Sequence, residues 1–232
     1  GFAKTKKLAK NESETVTVKF DAYDIAAYDW NDLNGNNNTV RQKIKPILTA
    51  LEENGIETNE ELTSIYEKFC NVGDGKALND GEKFFLLKEP SPSVYTNEVI
   101  AKAKEFSSTA IVVLGRQGGE GQDLPKWQWK YPSTDVKDRI TDRTYLDISS
   151  EEEGMLDIVT ANFEKVIVIV NSCNGFNYSF LEKYENIGAC LTLSGSGQSG
   201  AYSIVKIMYG KIAPSGKTTT TSPYDFTTNP TY

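Results

Sequence analysis

The sequence contains no histidine among its 232 residues. Without histidine a chain cannot assemble a Ser-His-Asp or Cys-His catalytic group, and it lacks a ligand that nearly all zinc enzymes use. Cysteine is almost as scarce, with Cys70, Cys173 and Cys190 widely spaced. An odd number at such spacing forms neither a disulfide framework nor a metal site, and it favours a reducing compartment such as the cytoplasm over secretion.

Long apolar segments and clustered positive charge are missing as well. The longest apolar runs, residues 110–114 and 166–170, have the length of buried strands and fall far short of a membrane-spanning helix. The net charge is −7, and the basic cluster at residues 4–10 is short. Because nucleic-acid phosphates bind to clustered Lys and Arg, we predict neither a nucleic-acid partner nor a membrane partner.

The first part of the chain divides at an Asn/Gly-rich stretch over residues 31–38, which we take as a boundary. Before it, residues 13–20 alternate polar and apolar side chains and predict a strand. After it, apolar residues recur three or four positions apart, which predicts a helix that Gly55 would end. A second helix is predicted over residues 59–69, and residues 71–97 are predicted to be mostly loop.

From residue 98 onward, apolar strand patterns alternate with helical patterns. A long polar loop, residues 115–142, follows the first of these strands. Alternation of this kind predicts an α/β fold, a three-layer α/β/α sandwich whose mostly parallel sheet is covered on both faces, with a short β-rich N-terminal segment. The predicted strands cover residues 110–114, 166–171 and 189–193, and the predicted helices cover residues 98–106, 151–163, 176–184 and 200–209.

In such sheets, ligands bind beyond the carboxyl ends of the strands, so the loops after the strands are where function is expected. The loop after the first strand, residues 115–123, carries Glu120 and Asp123 among clustered glycines, which permit positive φ angles. The loop after the third strand carries Gln198 in another glycine-rich turn. Neither residues 115–121 nor residues 210–218 have the spacing of a nucleotide-binding loop, which leaves nucleotide binding as the least favoured alternative.

Five segments of this chain resemble glycoside hydrolase family 3, the β-glucosidase family, and they occur in the order found there. One of them, residues 110–123, is a strand and loop that include Gly118-Gly119-Glu120-Gly121 and are similar to the family segment that holds the catalytic acid/base. The resemblance assigns residues 39–232 to the α/β sandwich domain and residues 1–35 to a piece of the fibronectin-type-III-like domain. The other matching segments are residues 146–149, 165–172, 195–200 and 210–218.

The resemblance implies retaining hydrolysis of a β-linked oligosaccharide or glycoside, with no metal or organic cofactor. Glu120 matches the acid/base position. The nucleophile of the family is an Asp in a separate (β/α)-barrel domain, for which this sequence contains no candidate segment, so we expect the chain to be one part of a longer enzyme. The predicted substrate-binding residues are Arg116, Asp123, Trp127, Trp129 and Gln198.

Two alternatives stay open at this point. Trp127 and Trp129 alternate within the long loop, and they could either stack on a sugar at the aglycone side or anchor the loop to the domain. The chain as a whole could instead be a non-catalytic carbohydrate-binding or interaction module. The substrate could be a β-linked glucoside or a xyloside, and the sequence does not choose between them.

Overall fold

The fold is described from a computed structural model, which covers residues 4–18, 46–72, 87, 89–116, 124–130, 133, 135–195, 200–218 and 221–228. Several features predicted from the sequence lie outside these ranges: the boundary at residues 31–38, Glu120, Asp123, Gln198, and most of the region between residues 73 and 88. Among the described helices, none combines the length and apolarity needed to cross a bilayer.

Up to residue 106 the regular elements of the described chain are all helices, and after it there are both strands and helices. The α-helices are α1 (Pro46–Glu53), α2 (Glu60–Val72), α3 (Asn97–Phe106), α4 (Ser150–Asn162) and α5 (Gly200–Met208). The strands are β1 (Thr109–Arg116), β2 (Trp127–Trp129), β3 (Arg139–Thr144), β4 (Lys165–Ser172) and β5 (Ile187–Leu193). Short 3₁₀ helices cover Pro92–Val94, Val136–Asp138, Ser179–Lys183 and Phe226–Thr228.

Strands β1, β4 and β5 form a parallel sheet in the order β1-β4-β5. The register between β1 and β4 runs without a shift from Thr109 opposite Lys165 to Arg116 opposite Ser172. Because the strands are parallel, their carboxyl ends lie at one edge of the sheet, and Leu193 of β5 stands opposite Asn171 there. The predicted α/β class and parallel sheet are confirmed.

Helices cover both faces of this sheet, which makes the three predicted layers. Helices α3 and α4 pack on one face, where Val112 and Leu114 of β1 and alternate residues of β4 are buried. Helices α1 and α5 pack on the other face around Ile169, which is fully buried. Alternation of buried valines with Ile169 along β4 follows from the two-residue period of a strand and explains why this strand is apolar throughout.

Local chemistry sets the ends of the helices that frame the sheet. Ser149 and Glu152 form a reciprocal capping box at the start of α4, as the Ser-Ser-Glu-Glu-Glu sequence predicts. Gly55 adopts a φ of +72° just beyond α1, which confirms the predicted glycine termination. Within α4, Gly154 lies against Pro92, and a Cβ added there would be 2.5 Å from the Pro92 Cγ.

Three predictions about local structure are wrong. The described part of the predicted strand 13–20, residues 13–18, forms no strand and is exposed, since no other described segment pairs with it. The predicted loop 115–142 contains β2 and most of β3, which pair as an antiparallel two-stranded sheet. The predicted helix 176–184 is a 3₁₀ helix over Ser179–Lys183. In the first case the strand pattern has no pairing partner in the described chain, and in the other two the structure depends on pairing or packing that the local pattern does not encode.

A hydrogen-bonded cluster joins α2 to the segment before α3. The Tyr66 hydroxyl lies 2.6 Å from Glu89 Oε1 and 2.6 Å from the Tyr95 hydroxyl, and the Tyr95 hydroxyl lies 3.0 Å from the same Glu89 oxygen. Burial raises the pKa of the Glu89 carboxyl to about 7. The hydrogen bonds from the two tyrosine hydroxyls lower this pKa but do not outweigh burial, and the nearby carboxylates of Glu152 and Glu151 raise it further.

The raised pKa of Glu89 predicts a pH dependence of stability. Between about pH 4.5 and about pH 7 the folded chain holds a proton on Glu89 that the unfolded chain releases, so this group lowers the free energy of unfolding as pH rises through that range. The loss amounts to about 3 kcal/mol at most. Replacement of Glu89 by Gln should flatten the decline, measured by urea unfolding at pH 4.5, 6 and 8. The exposed Glu98→Gln serves as control, and a decline that is the same in both variants would contradict the assignment.

Candidate active site

The carboxyl edge of the parallel sheet is the place where three strand ends meet. Arg116 ends β1 beside Ser172 at the end of β4, and Asn171 of β4 stands beside Leu193 of β5. The loops that follow β1 and β5 contain residues 117–123 and 196–199, which the structure does not describe. The site is therefore built from the strand ends, the β2–β3 sheet and the segments that contact them.

Arg116 is buried at this edge, and every N–H of its guanidinium donates a hydrogen bond. The group forms a bidentate pair with Glu152, with Nη1 2.8 Å from Oε1 and Nη2 2.8 Å from Oε2. Its other N–H groups donate to backbone carbonyls: Nε to Tyr145 at 3.2 Å, Nη1 to Gly115 at 2.7 Å and Nη2 to Asp147 at 2.7 Å. These bonds fix the end of β1 to the start of α4.

Two further contacts complete the surroundings of this pair. The Arg116 guanidinium carbon lies 4.8 Å from the centroid of the buried Phe176 ring. Glu152 Oε2 also accepts a hydrogen bond of 2.7 Å from the Ser149 backbone N–H, so one carboxylate both caps α4 and neutralises Arg116. Because all its donors are engaged, the Arg116 side chain fixes its own backbone, which is the point where the Glu120 loop begins. Its direct binding of substrate stays a prediction, and it would require one of these bonds to open.

The tryptophans of β2 are half-buried, whereas Gln128 between them is fully buried. Gln128 Nε2 donates to the carbonyls of Thr144 at 2.7 Å and Asp147 at 2.9 Å, which anchors β2. Lys126 lies over the ring of Trp127, with its ammonium 4.9 Å from the ring centroid. On the second tryptophan, the Arg139 guanidinium lies 5.4 Å from the Trp129 centroid. The binding roles of both tryptophans stay predictions, and Gln128 supplies an anchor that the sequence analysis missed.

A pocket of about 280 Å³ opens between the β2–β3 sheet and the C-terminal segment 221–228. Its lining includes Trp127, Asp142, Asp147, Asn177, Tyr224 and Asp225. Asp147 is held in place from both sides, because Oδ2 accepts from the Thr144 N–H at 2.7 Å and Oδ1 accepts from Asn177 Nδ2 at 2.8 Å.

The loop after β4 forms the middle of the edge. The Ser172 hydroxyl donates to the Asn174 carbonyl at 3.0 Å and accepts from the Asn174 N–H at 3.1 Å, which closes a tight turn. Asn174 Nδ2 is buried and has no hydrogen-bond partner in the described part of the chain. Cys173 Sγ packs against Gly195, so that a Cβ at position 195 would stand 3.0 Å from the sulfur.

Metal ligation finds no support in the described residues. No group of three or more Cys, Asp or Glu side chains within them is arranged to hold a metal ion. Cys173 and Cys190 are free thiols, and burial raises the pKa of the Cys190 thiol to about 11, which keeps it protonated and unreactive at neutral pH. The side chain of Cys70 lies outside the described residues.

Similarity to known proteins runs along nearly the whole chain. The family model of the glycosyl hydrolase family 3 C-terminal domain matches residues 5–232. A β-glucosidase of Ruminococcus albus is 26% identical over 193 residues, which cover 81% of this chain and 18% of that protein. Beta-glucosidase A of Butyrivibrio fibrisolvens is 28% identical over 144 residues, covering 57% of this chain and 16% of that protein.

A solved structure has the same fold. The crystal structure of a β-glucosidase from Paenibacillus barengoltzii superimposes with a TM-score of 0.62 at 26% identity, covering 79% of this chain and 18% of that one. The chain thus spans less than a fifth of the length of each of these relatives. The family match over residues 5–232 agrees with the parallel sheet and its two helix layers. This chain therefore belongs to glycoside hydrolase family 3 and corresponds to the C-terminal α/β domain of that family.

Proposed function

We propose that this domain supplies the acid/base carboxyl of a retaining β-glycosidase, and that a (β/α)-barrel domain outside this chain supplies the nucleophile. The observation that carries the proposal is the position of Glu120 in the sequence. It stands among glycines, four residues after Arg116, which ends β1 at the carboxyl edge of the sheet. That edge is where ligands bind in open parallel sheets. Family membership makes glycoside hydrolysis the chemistry to which such a carboxyl belongs.

In the proposed reaction, the protonated Glu120 carboxyl donates its proton to the glycosidic oxygen while the barrel carboxylate attacks the anomeric carbon. A covalent glycosyl-enzyme forms and the leaving group departs as an alcohol. Glu120, now ionised, accepts a proton from water as that water attacks the same carbon, and the sugar is released with retained configuration. Closure of this domain over the barrel would remove water from around Glu120 and raise its pKa, as its acid role requires.

The residue at which the Glu120 loop begins is held rigidly, which suits a loop that must place a catalytic carboxyl. Arg116, four residues before Glu120, is fixed to Glu152 and to the carbonyls of Tyr145 and Asp147. A rigid base of this kind limits where a short glycine-containing segment can place its carboxyl. Asp123 and Gln198, on the loops of the same edge, are proposed to bind the sugar together with Glu120.

The proposed substrate class rests on the same family membership, whereas the proposed domain boundaries rest on the resemblance seen in the sequence. We propose a β-linked glucoside or xyloside as substrate, in keeping with the β-glucosidase names of the relatives. The assignment of residues 1–35 to a fibronectin-type-III-like piece and of residues 39–232 to the α/β domain is kept as a proposal. The family match from residue 5 onward includes most of that first segment.

Hydrolysis of an aryl β-glucoside tests the division of labour between the two domains. The purified chain alone should give no turnover, because it lacks the nucleophile, whereas the polypeptide that joins it to a barrel should hydrolyse the substrate. Turnover by the chain alone that disappears in Glu120→Gln would place a nucleophile within these residues and contradict the proposal. Binding of cello-oligosaccharides without turnover in either form would instead identify a carbohydrate-binding module.

A further inference from the structure

The hydrogen-bonded cluster of Tyr66, Glu89 and Tyr95 forms a closed triangle of oxygen atoms. Its sides measure 2.6 Å between the two hydroxyls, 2.6 Å from the Tyr66 hydroxyl to Glu89 Oε1, and 3.0 Å from the Tyr95 hydroxyl to the same carboxyl oxygen. All three distances are those of O–H···O hydrogen bonds, and each such bond uses one hydrogen atom. The triangle therefore needs three hydrogens if every side is to be a bond.

The two tyrosines supply only two of these hydrogens, because a neutral phenol has one O–H and an ionised carboxylate has none. With an ionised Glu89, one side of the triangle would bring two oxygen atoms together without a hydrogen between them. A protonated Glu89 supplies the third hydrogen. Its carboxyl then donates to Tyr66, Tyr66 donates to Tyr95, and Tyr95 donates back to Glu89 Oε1. The geometry of the cluster therefore fits a neutral carboxylic acid.

The groups that act on Glu89 agree with a bound proton. They are Tyr66 of α2, Tyr95 just after the 3₁₀ helix Pro92–Val94, and the carboxylates of Glu151 and Glu152 at the start of α4. No Lys or Arg of the described residues is among them. Burial raises the pKa of both tyrosine hydroxyls well above its usual value, so Glu89 is the member of the cluster that changes its charge near neutral pH.

Helix α2 is attached to the rest of the sandwich at its margin. None of its described side chains, those of residues 60–69, is fully buried. Leu62 and Tyr66 pack against the edge of the core, and Glu61 forms an exposed ion pair of 3.3 Å with Lys102 of α3. Elements that bury little apolar surface open locally while the rest of a fold stays closed. The cluster that ties α2 to the segment before α3 can therefore decide whether this helix stays in place.

We propose that the Tyr66–Glu89–Tyr95 cluster is a pH-sensitive latch, which holds α2 against the segment before α3 while Glu89 is protonated and lets α2 open locally once that proton is lost. Opening gives the ionised carboxylate the water that the closed cluster excludes. In the closed form the Glu89 carboxyl has its raised pKa of about 7, and in the open form it returns to the ordinary value of 4.5. The free energy of opening therefore falls as pH rises from about 4.5 to about 7 and is constant above that range.

A pH titration of the ¹³C-labelled chain tests whether the closed cluster holds the third hydrogen. The carboxyl carbon of Glu89, assigned through its bonds to the amide of the same residue, should titrate with a midpoint of about 7. A midpoint of about 4.3, the ordinary value for a Glu side chain, would mean that the cluster contains two hydrogens, and it would overturn the proposal.

Native-state hydrogen exchange of the same chain tests the opening of α2. After division by the intrinsic exchange rate at each pH, the amides of α2 should be about 50- to 100-fold less protected at pH 8 than at pH 5. Low concentrations of urea should change this protection little, because a local opening exposes little surface. Glu89→Gln keeps the size of the side chain and supplies a hydrogen at every pH, so its α2 should be equally protected at both. Glu105→Gln, which removes an exposed carboxyl of α3, is the matched control and should behave like the wild type.

Two results of the exchange experiment contradict the latch. If the protection of α2 depends on urea as steeply as that of β4, the helix opens only when the whole domain unfolds. If Glu89→Gln loses α2 protection at pH 8 as the wild type does, the pH dependence belongs to another group. The titration and the urea dependence are both measured on the wild-type chain, so they decide the proposal even if Glu89→Gln does not fold.

Discussion

Replacement of Glu120 by Gln in the complete enzyme is expected to lower kcat/KM by about 10²–10⁴-fold for alkyl β-glucosides and cellobiose, whose leaving groups need a proton. The amide keeps the size of the carboxyl but cannot supply that proton. For 2,4-dinitrophenyl β-glucoside, whose leaving group departs unprotonated, the first step should stay close to the wild-type rate. The variant should then accumulate the glycosyl-enzyme, visible as a burst of dinitrophenolate before a slow steady state.

Two control variants test whether the dependence on the leaving group is specific to Glu120. Glu164→Gln removes an exposed carboxyl next to the amino end of β4, at the opposite edge of the sheet. It should leave kcat/KM unchanged for both kinds of substrate. Asp123→Asn should lower kcat/KM by the same factor for both kinds of substrate, because a residue that binds the sugar acts whichever leaving group the sugar carries. Wild-type turnover of cellobiose by Glu120→Gln would exclude Glu120 as the acid/base.

The buried pair of Arg116 and Glu152 carries the second large expected effect. Arg116→Met should lower the free energy of unfolding by about 3–5 kcal/mol, because it leaves Glu152 as a buried carboxylate without its counterion. The same substitution also removes the donors for the carbonyls of Tyr145 and Asp147. Urea unfolding of the chain, followed by circular dichroism at pH 7, measures the loss.

A double-mutant cycle separates the pair from its surroundings. Arg116→Met combined with Glu152→Met should be more stable than the sum of the single losses predicts, because the double variant buries no lone charge. Lys102→Met, which breaks exposed ion pairs with Glu98 on α3 and Glu61 on α2, is the matched control and should change stability little. Additive losses in the Arg116/Glu152 cycle, or a loss for Arg116→Met no larger than for the control, would contradict the described pairing.

Much of the sandwich could be predicted from local sequence because its elements have strong and consistent patterns. The apolar run at β4 is uninterrupted because this central strand is buried on both faces, and the run at β1 continues through Ile111 and Val113, which are exposed in the described chain. Ser149 and Glu152 mark the start of α4 through a spacing that has one physical meaning, the capping box. The parallel sheet then follows from the alternation of such strands with helices.

The β2–β3 sheet could not be predicted because it depends on long-range pairing. β2 is three residues long, and β3 has charged side chains on exposed positions, so neither has a strand period. The buried Gln128 that anchors them is polar and gives no core signal. Conversely, the alternation over residues 13–20 is a strand pattern without a partner in the described chain.

The candidate site was predictable only in part for the same reason. Glycine spacing and the family resemblance single out Glu120, whose placement remains a prediction. The role of Arg116 as the counterion of Glu152 depends on two residues 36 positions apart. In a run of three glutamates, nothing in the sequence distinguishes the buried middle one from its neighbours. The pocket brings Trp127 together with Tyr224 and Asp225 of the C-terminal segment, and no local pattern relates residues so far apart.

The product formed when azide is added to Glu120→Ala in the complete enzyme tests the acid/base assignment most directly. Azide needs no general base, and it can enter the space that the carboxyl vacates and attack the glycosyl-enzyme from the side that water uses. With 2,4-dinitrophenyl β-glucoside as substrate, we expect faster turnover with azide and β-glucosyl azide as the product. Formation of α-glucosyl azide would make Glu120 the nucleophile, and a rate unaffected by azide together with unimpaired hydrolysis would remove it from the chemistry altogether.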